Sequence, residues 1–365
     1  MKRLLLLLPL CFLFLIPAEK SHAQFGDLGE ILRSGTNDSN LLLENYLSPY
    51  AAGFGADLNS GWNNTARPYK KFGFDLRVSA AASFVPVSDE LFNVSSLSFT
   101  QLEVLEGNST PTIAGPDDVS RARLGQTFTN PETGNEEELY AFDMPEGTGF
   151  PYVPAPMVQL TVGVPFDTDV SLRAVPSIDI PDVDGSINLF GLGVKHGLNQ
   201  WIPGGALLPV DLSAQVGYTQ LSMNVGVDVE PQVDGDTRND FNDSNWDDQN
   251  IELNSSGYVF NVLVGKTLPI ISVYGGVGMQ SSKMIIKTGG AYPLTVPNEE
   301  YNGQSDTRTK AIEEIVDPVD LDISGENNFQ ALAGFRVRLA FIAISGSYTL
   351  SKYPVANVGV GISFR

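Results

Sequence analysis

From Asn357 to Arg365 the chain reads Asn-Val-Gly-Val-Gly-Ile-Ser-Phe-Arg. Val358, Val360, Ile362 and Phe364 share one face, and Asn357, Gly359, Gly361 and Ser363 share the other. Strict alternation is the period of a β-strand. Upstream, Ile342, Ile344, Gly346, Tyr348 and Leu350 alternate in the same way, as do Phe329, Ala331, Ala333, Phe335, Val337 and Leu339. Near the start, Phe72, Phe74, Leu76, Val78, Ala80 and Ala82 oppose Gly73, Asp75, Arg77, Ser79 and Ala81. A soluble sandwich packs its apolar face on a second sheet. A membrane barrel turns that face to lipid and lines its lumen with the polar one. Here the polar faces carry Gly and Ser rather than the Lys, Glu and Thr of a solvated sheet, and an amphipathic strand closes the sequence. The expected fold is therefore all-β: an antiparallel transmembrane β-barrel of about 12 strands (range about 10–14), with a short N-terminal helical plug or periplasmic segment.

The candidate strands are 50–62, 69–84, 92–104, 155–165, 168–178, 186–199, 207–229, 250–267, 270–288, 326–339, 341–351 and 355–365. With both termini on the periplasmic side, every second connector is a short turn. Connectors 85–91, 166–167, 200–206, 268–269 and 340 fit that parity, and the long stretches 105–154, 230–249 and 289–325 fall on the extracellular side. The strand 50–62 is the weakest member of this set and has the plug as its other reading.

Ahead of these strands lies an address. Lys2 and Arg3 precede an apolar run from Leu4 to Ile16, and Ser21-His22-Ala23 places small residues at −3 and −1 before Gln24. This is the pattern of a secretory signal cleaved near Ala23, and the run is shorter than the roughly 20 residues of a spanning helix. The expected division is 1–23 signal peptide, 24–49 N-terminal segment and 50–365 barrel. Cleavage removes Cys11 and leaves His196 as the sole histidine, so disulfides are not expected to staple the mature chain. In the N-terminal segment Leu28, Ile31 and Leu32, then Leu42 and Tyr46, recur at helical spacing after Asn37-Asp38-Ser39, a helix-start signal. They are the plug candidates, with a helix pair on the periplasmic rim as the other reading.

Charge adds to the picture. The chain holds 22 Lys and Arg against 43 Asp and Glu, net −21. With a pI near 4.3 it repels phosphate, so no nucleic-acid partner is expected. The whole net charge of the mature chain sits in residues 103–150, 228–252 and 289–326. Solvated loops account for that distribution. Asp234, Asp236, Asp240 and Asp243 are weak Ca²⁺ candidates, because Arg238 stands where a third loop ligand belongs. No metal or cofactor is expected.

Alternation directs Asp75, Arg77, Arg173, Lys195, Asp211, Gln215, Arg336 and Arg338 into the lumen. Unpaired buried charge is costly, so these groups are expected to brace one another across the interior, or else to line a passage for an anionic head group. An enzyme is not expected. His196 has no Ser-Asn-Gly partner sequence nearby, and alternation puts it at the lipid-side end of its strand.

Leu58-Asn59-Ser60-Gly61-Trp62-Asn63-Asn64-Thr65-Ala66, followed by Gly73-Phe74-Asp75-Leu76, resembles an uncharacterised family of Bacteroidetes-type outer-membrane barrel proteins, and the resemblance spans the mature chain. In plan (N-terminal plug, barrel, long outer loops) the chain is also similar to the long-chain fatty-acid transporter superfamily. The resemblances imply the outer membrane of a Gram-negative bacterium, with outer-membrane lipid and the barrel-assembly machinery, through the final strand ending Phe364-Arg365, as partners. The leading functional expectation is passage of a small hydrophobic or amphipathic solute. The alternative is a non-transporting scaffold or surface protein that binds a partner through its loops or periplasmic segment.

Overall fold

The computed structural model describes residues 28–32, 34–179, 184–325 and 328–364. The expected signal peptide at 1–23 lies outside the described residues, as does Arg365. Ten strands pair antiparallel, each with its neighbour in sequence: β1 (Phe74–Phe84), β2 (Tyr152–Val164), β3 (Thr168–Asp179), β4 (Gly185–Gly197), β5 (Asp211–Gly226), β6 (Asn250–Thr267), β7 (Ile271–Gly289), β8 (Asn328–Leu339), β9 (Ile342–Leu350) and β10 (Val355–Phe364). β1 pairs with β10 from Phe74↔Phe364 to Ser83↔Val355, which closes the barrel. An eleventh segment, Asp320–Ser324, continues alongside the upper half of β7.

Burial follows the alternation. Asp75, Arg77 and Ser79 are buried while Leu76 and Val78 are exposed, and β3, β4, β5 and β6 repeat the arrangement. The apolar residues point outward, as a lipid-facing belt requires, and the polar ones inward. No described helix is long and apolar enough to cross a membrane; the strands form the wall.

The two ends differ. At one end the connectors are short: 165–167, 198–210, 268–270 and 340–341. At the other end, residues 85–151, 227–249 and 290–325 fold into a cap of three small sheets. Helix α1 (Thr36–Asn59) begins in that cap and runs down into the barrel. Ile31, Leu32, Leu42 and Leu43 pack there with Val94, Leu102, Leu124, Tyr292, Leu321 and Ile323, all buried. Each such large side chain contributes roughly 1.5–3 kcal/mol. The main apolar cluster thus joins the N-terminal segment to the loops, while the barrel interior is mainly polar, with small apolar clusters such as Leu58, Leu189 and Leu221.

Two expected strands are corrected. Residues 50–62 do not form a strand: Tyr50–Asn59 are the second half of α1. The small residues there mark a helix squeezed against the wall. A Cβ on Gly53 would meet Ser83 Oγ at 2.8 Å and Val153 Cγ2 at 2.9 Å. Residues 92–104 do not join the barrel either. Leu91–Asn93 pairs with Ser109–Pro111 and Glu103–Glu106 with Arg123–Thr129, both inside the cap. The amides of Thr100, Gln101 and Leu102 are held by the Asp38 carboxylate, so no ladder can use them. Residues 85–91 therefore open the long β1–β2 connection and are not a short turn. Losing two strands leaves the count even, which is why parity does not expose the error.

Candidate functional site: the filled lumen

Below α1 the chain does not leave the barrel. Ser60 ends the helix, its amide and hydroxyl both donating to Asp57 O. Gly61 then turns with φ 65° and residues 61–69 descend through the lumen to the short-turn end, where β1 starts. The wall holds this segment chiefly by its backbone carbonyls. Arg173 donates to Leu58 O at 2.7 Å and Ser60 O at 2.6 Å. Arg77 donates to Gly61 O at 2.6 Å, Gln159 to Trp62 O at 3.0 Å, the Tyr274 hydroxyl to Asn63 O at 2.7 Å and Lys195 to Thr65 O at 3.0 Å. Five strands of the wall, β1 through β4 and then β7, thus read one short peptide. A carbonyl without such a donor here would be buried and unpaired, at a cost of about 1–3 kcal/mol.

Side chains lock the register. Trp62 lies under the Arg173 guanidinium, 3.8 Å from the ring centroid. Its indole occupies space left by two inward glycines: a Cβ on Gly193 or Gly217 would come within 2.6 Å of the ring. Asn64 donates to Asp75 at 2.9 Å, and Asn63 reaches Gln215, which also accepts from Asn261 at 2.7 Å. Asp169 accepts the Tyr69 amide at 2.7 Å and pairs with Lys195 at 3.0 Å, both side chains being buried. Arg336 donates to Ser363 and faces the Tyr69 ring at 5.5 Å.

The expected lumen set divides accordingly. Asp75, Arg77, Arg173, Lys195, Gln215 and Arg336 are buried in the lumen, and they bind the plug segment more than they bind one another. Asp211 and Arg338 lie at the short-turn end, not deep in the interior. Asp211 is 3.8 Å from Arg67, and Arg338 donates to Pro269 O. Leu28, Ile31, Leu32, Leu42 and Tyr46 gather in the cap at the mouth, with the Tyr46 hydroxyl on Glu146 O. They seat the helix in the loops rather than on the short-turn rim. His196 sits on the outer face, its Nδ1 2.7 Å from Thr168 Oγ1 and its Nε2 accepting from Trp201 at 2.8 Å.

Three of the four aspartates weighed for Ca²⁺ are engaged by protein donors. Asp234 accepts from the Asp236 amide and the Thr237 hydroxyl, and its carboxyl is held below the usual range by that hydroxyl first. Asp236 accepts from Thr309, Asp240 pairs with Arg238 at 2.6 Å, and Asp243 opens a one-turn helix. Among the described residues no group of three or more His, Cys, Asp or Glu is placed to hold a metal.

Sequence reasoning misses Asn63, Asn64, Tyr69, Gln159, Asp169 and Tyr274. Asp169 was reachable, since alternation with Ser171 and Arg173 puts it on the inner face beside Lys195. The Asn-rich run after Gly61 carries no period at all, so nothing in it announces a lumen segment. Two cavities flank that segment, one against Gln159, Asp169 and Gln215, the other against Asn261, Tyr274 and Gln330. Each offers about 10 Å³ to a water centre, which is what a single water needs. Trp62 Nε1 and Gln215 Nε2 border the first and have no hydrogen-bond partner among the described residues, so the site suits such a water.

Compared with known proteins, residues 1–364 match the family of unknown function DUF6588. The chain belongs to that family. No curated protein matches it. Among solved structures, this DUF6588 member is similar to the attachment invasion locus protein Ail of Yersinia pestis, at 11% identity over 80% of this chain and 99% of that one, with a TM-score of 0.23. It is also similar to the translocator domain of the autotransporter NalP from Neisseria meningitidis (10% identity, 86% and 92% coverage, TM-score 0.28) and to a Pseudomonas aeruginosa FadL homologue (9%, 86% and 96%, 0.21). The barrel assignment itself rests on the strand pairing of this DUF6588 chain.

Proposed function

We propose that the protein is a closed outer-membrane barrel, with its short turns toward the periplasm and its acidic cap on the cell exterior, and that it works as a surface protein rather than a passive pore. The observation that carries this reading is the lumen. The chain's own residues 58–69 fill it, and wall side chains take the carbonyls of Leu58, Ser60, Gly61, Trp62, Asn63 and Thr65. The two cavities that flank them are water-sized. The acidic cap is then the binding face, and charge complementarity favours a basic partner. Reconstitution of the full chain in a planar bilayer tests the claim. No unitary conductance above the lipid baseline is expected, and a steady open pore overturns it.

One observation favours a second reading, gated passage of a small hydrophobic or amphipathic solute. The joint between plug and wall is polar and holds orphaned donors at Trp62 and Gln215, so water can replace its contacts at modest cost when the segment shifts. Liposome uptake that appears only when the plug contacts are weakened supports that reading; uptake that stays absent then excludes it.

A further inference from the structure

At the short-turn end three chain segments meet. Residues 70–72 lie at the foot of β1, with Phe72 N donating to Gly163 O at 2.8 Å. The β2–β3 turn brings Phe166 and Asp167. The β4–β5 connection brings Gln200 and Trp201, and Gln200 donates to Phe166 O at 2.9 Å. Pro68 and Asp167 both border Gly197, which ties the three into one patch.

Three rings stand out of this patch. Phe72 is 77% exposed, Phe166 79% and Trp201 71%. Phe72 and Phe166 also hold φ of 66° and 65°, a left-handed conformation that disfavours a residue with a bulky side chain. Surrounding hydrogen bonds impose it: Gly73 N to Lys70 O at 2.7 Å, Gly163 N to Gly73 O at 2.8 Å, and the Thr168 hydroxyl to Phe166 O at 2.9 Å. The tight β2–β3 turn itself calls for positive φ at Phe166 and Asp167, a place where Gly or Asn is favoured, so an exposed Phe there and at Phe72 has no gain to offset it if the rings stand in water. Rings at the edge of an apolar belt are different, because the bilayer interface accommodates an aromatic body with a polar neighbour.

Two exposed cations complete the patch. Lys71 Nζ lies 5.0 Å from the Phe72 ring centroid, which holds its charge at ring level. Lys70 is exposed next to it. Among the described residues no carboxylate pairs with either. Asp211 is turned to Arg67, and Asp167 contributes one exposed negative charge to the patch.

We propose that Lys70, Lys71, Phe72, Phe166 and Trp201 form a binding site for the headgroup of an anionic phospholipid in the periplasmic leaflet. The rings enter the acyl boundary and the two ammonium groups meet the phosphate. The inference rests on taking the short-turn end as periplasmic, but its test reads lipid affinity on purified protein, so it stands or falls independently of conductance.

Native mass spectrometry of the full chain, titrated with phosphatidylglycerol and with phosphatidylcholine of the same acyl chains, is the experiment. A clear preference for phosphatidylglycerol is expected, and Lys70→Gln with Lys71→Gln lowers that affinity about tenfold or more. Lys266→Gln, at another part of the same rim, leaves it within about twofold. Phe72→Gly serves as the second variant: it relieves the left-handed strain while removing the ring, so the fold is retained and affinity for both lipids falls. No preference in the parent, an unchanged affinity in the double variant, or an equal loss with Lys266→Gln overturns the proposal.

Discussion

Asp38 Oδ1 accepts two hydrogen bonds from Thr100, one from its amide at 2.8 Å and one from its hydroxyl at 2.9 Å. Its other oxygen accepts the amides of Gln101 and Leu102, each at 2.8 Å. One carboxylate in the first turn of α1 therefore fastens the helix to the cap. Asp38→Asn keeps the shape but turns half the acceptor into a donor facing amides. A loss of roughly 1.5–3 kcal/mol is expected for the cap. Limited proteolysis in the 97–102 stretch checks it, with cleavage much faster than in the parent while the barrel stays resistant.

The same carboxyl sets a pH window. Burial pushes its pKa up, but the three amides and the Thr100 hydroxyl pull harder, and the net position is below the ordinary 3.8. A group depressed in the folded state contributes stability above its unfolded pKa and loses it as pH falls through the folded one. The cap's resistance to protease is thus expected to hold at pH 5 and to decline only below about pH 4, while Asp38→Asn shows no such acid step. An equal acid step in both proteins places the linkage elsewhere.

Arg173 is the strongest grip on the plug, since it serves two carbonyls and stacks on Trp62. Arg173→Ala leaves Ser60 O buried and unpaired and leaves Leu58 O with only the Thr219 hydroxyl at 3.2 Å, a loss of roughly 3 kcal/mol from the two charge-assisted bonds. The expected readout is brief conductance steps that the parent lacks. Arg173→Lys, with one compact charge in place of a fork, restores closure in part. A silent Arg173→Ala channel shows that the remaining contacts hold the segment alone.

The strand wall is largely legible in the sequence because its alternation is a local property. Arg77, Arg173 and Arg336 land in the lumen for the same reason that Leu76 and Leu172 land outside. The N-terminal helix is legible in part, but the lumen course of Gly61–Tyr69 is not, because it is owed to donors on strands far away in sequence. Tyr274 and Asn63 are 211 positions apart. Tyr50–Asn59 alternate well enough to pass for a strand, and only the close approach of Gly53 to Ser83 and Val153 makes a narrow helix the better fit. The cap misleads for a related reason. Leu97–Thr100 has strand-like alternation, and a single distant aspartate takes the amides of Thr100, Gln101 and Leu102.

Gly193 offers a test of that packing by subtraction and rescue. Its missing Cβ is the space for the Trp62 ring. Gly193→Val overpacks the site and is expected to cost about 1–3 kcal/mol. Adding Trp62→Ala opens room for the new side chain, so the double variant melts closer to the parent than Gly193→Val does. Strict additivity of the two losses shows that the residues do not share the space.

The course of the N-terminal segment makes a prediction about sidedness. α1 starts among the long loops and the chain reaches the short-turn end only near residues 68–72, so Asn37 and Leu207 lie at opposite ends of the barrel. Both are exposed, and the natural chain has a single cysteine, Cys11, within the expected signal. Long loops belong on the outside and short turns in the periplasm. A membrane-impermeant maleimide added to whole cells is therefore expected to label Asn37→Cys, and to label Leu207→Cys only after the outer membrane is permeabilised. The pattern reversed means that the cap faces inward and that the acidic loops are a periplasmic surface.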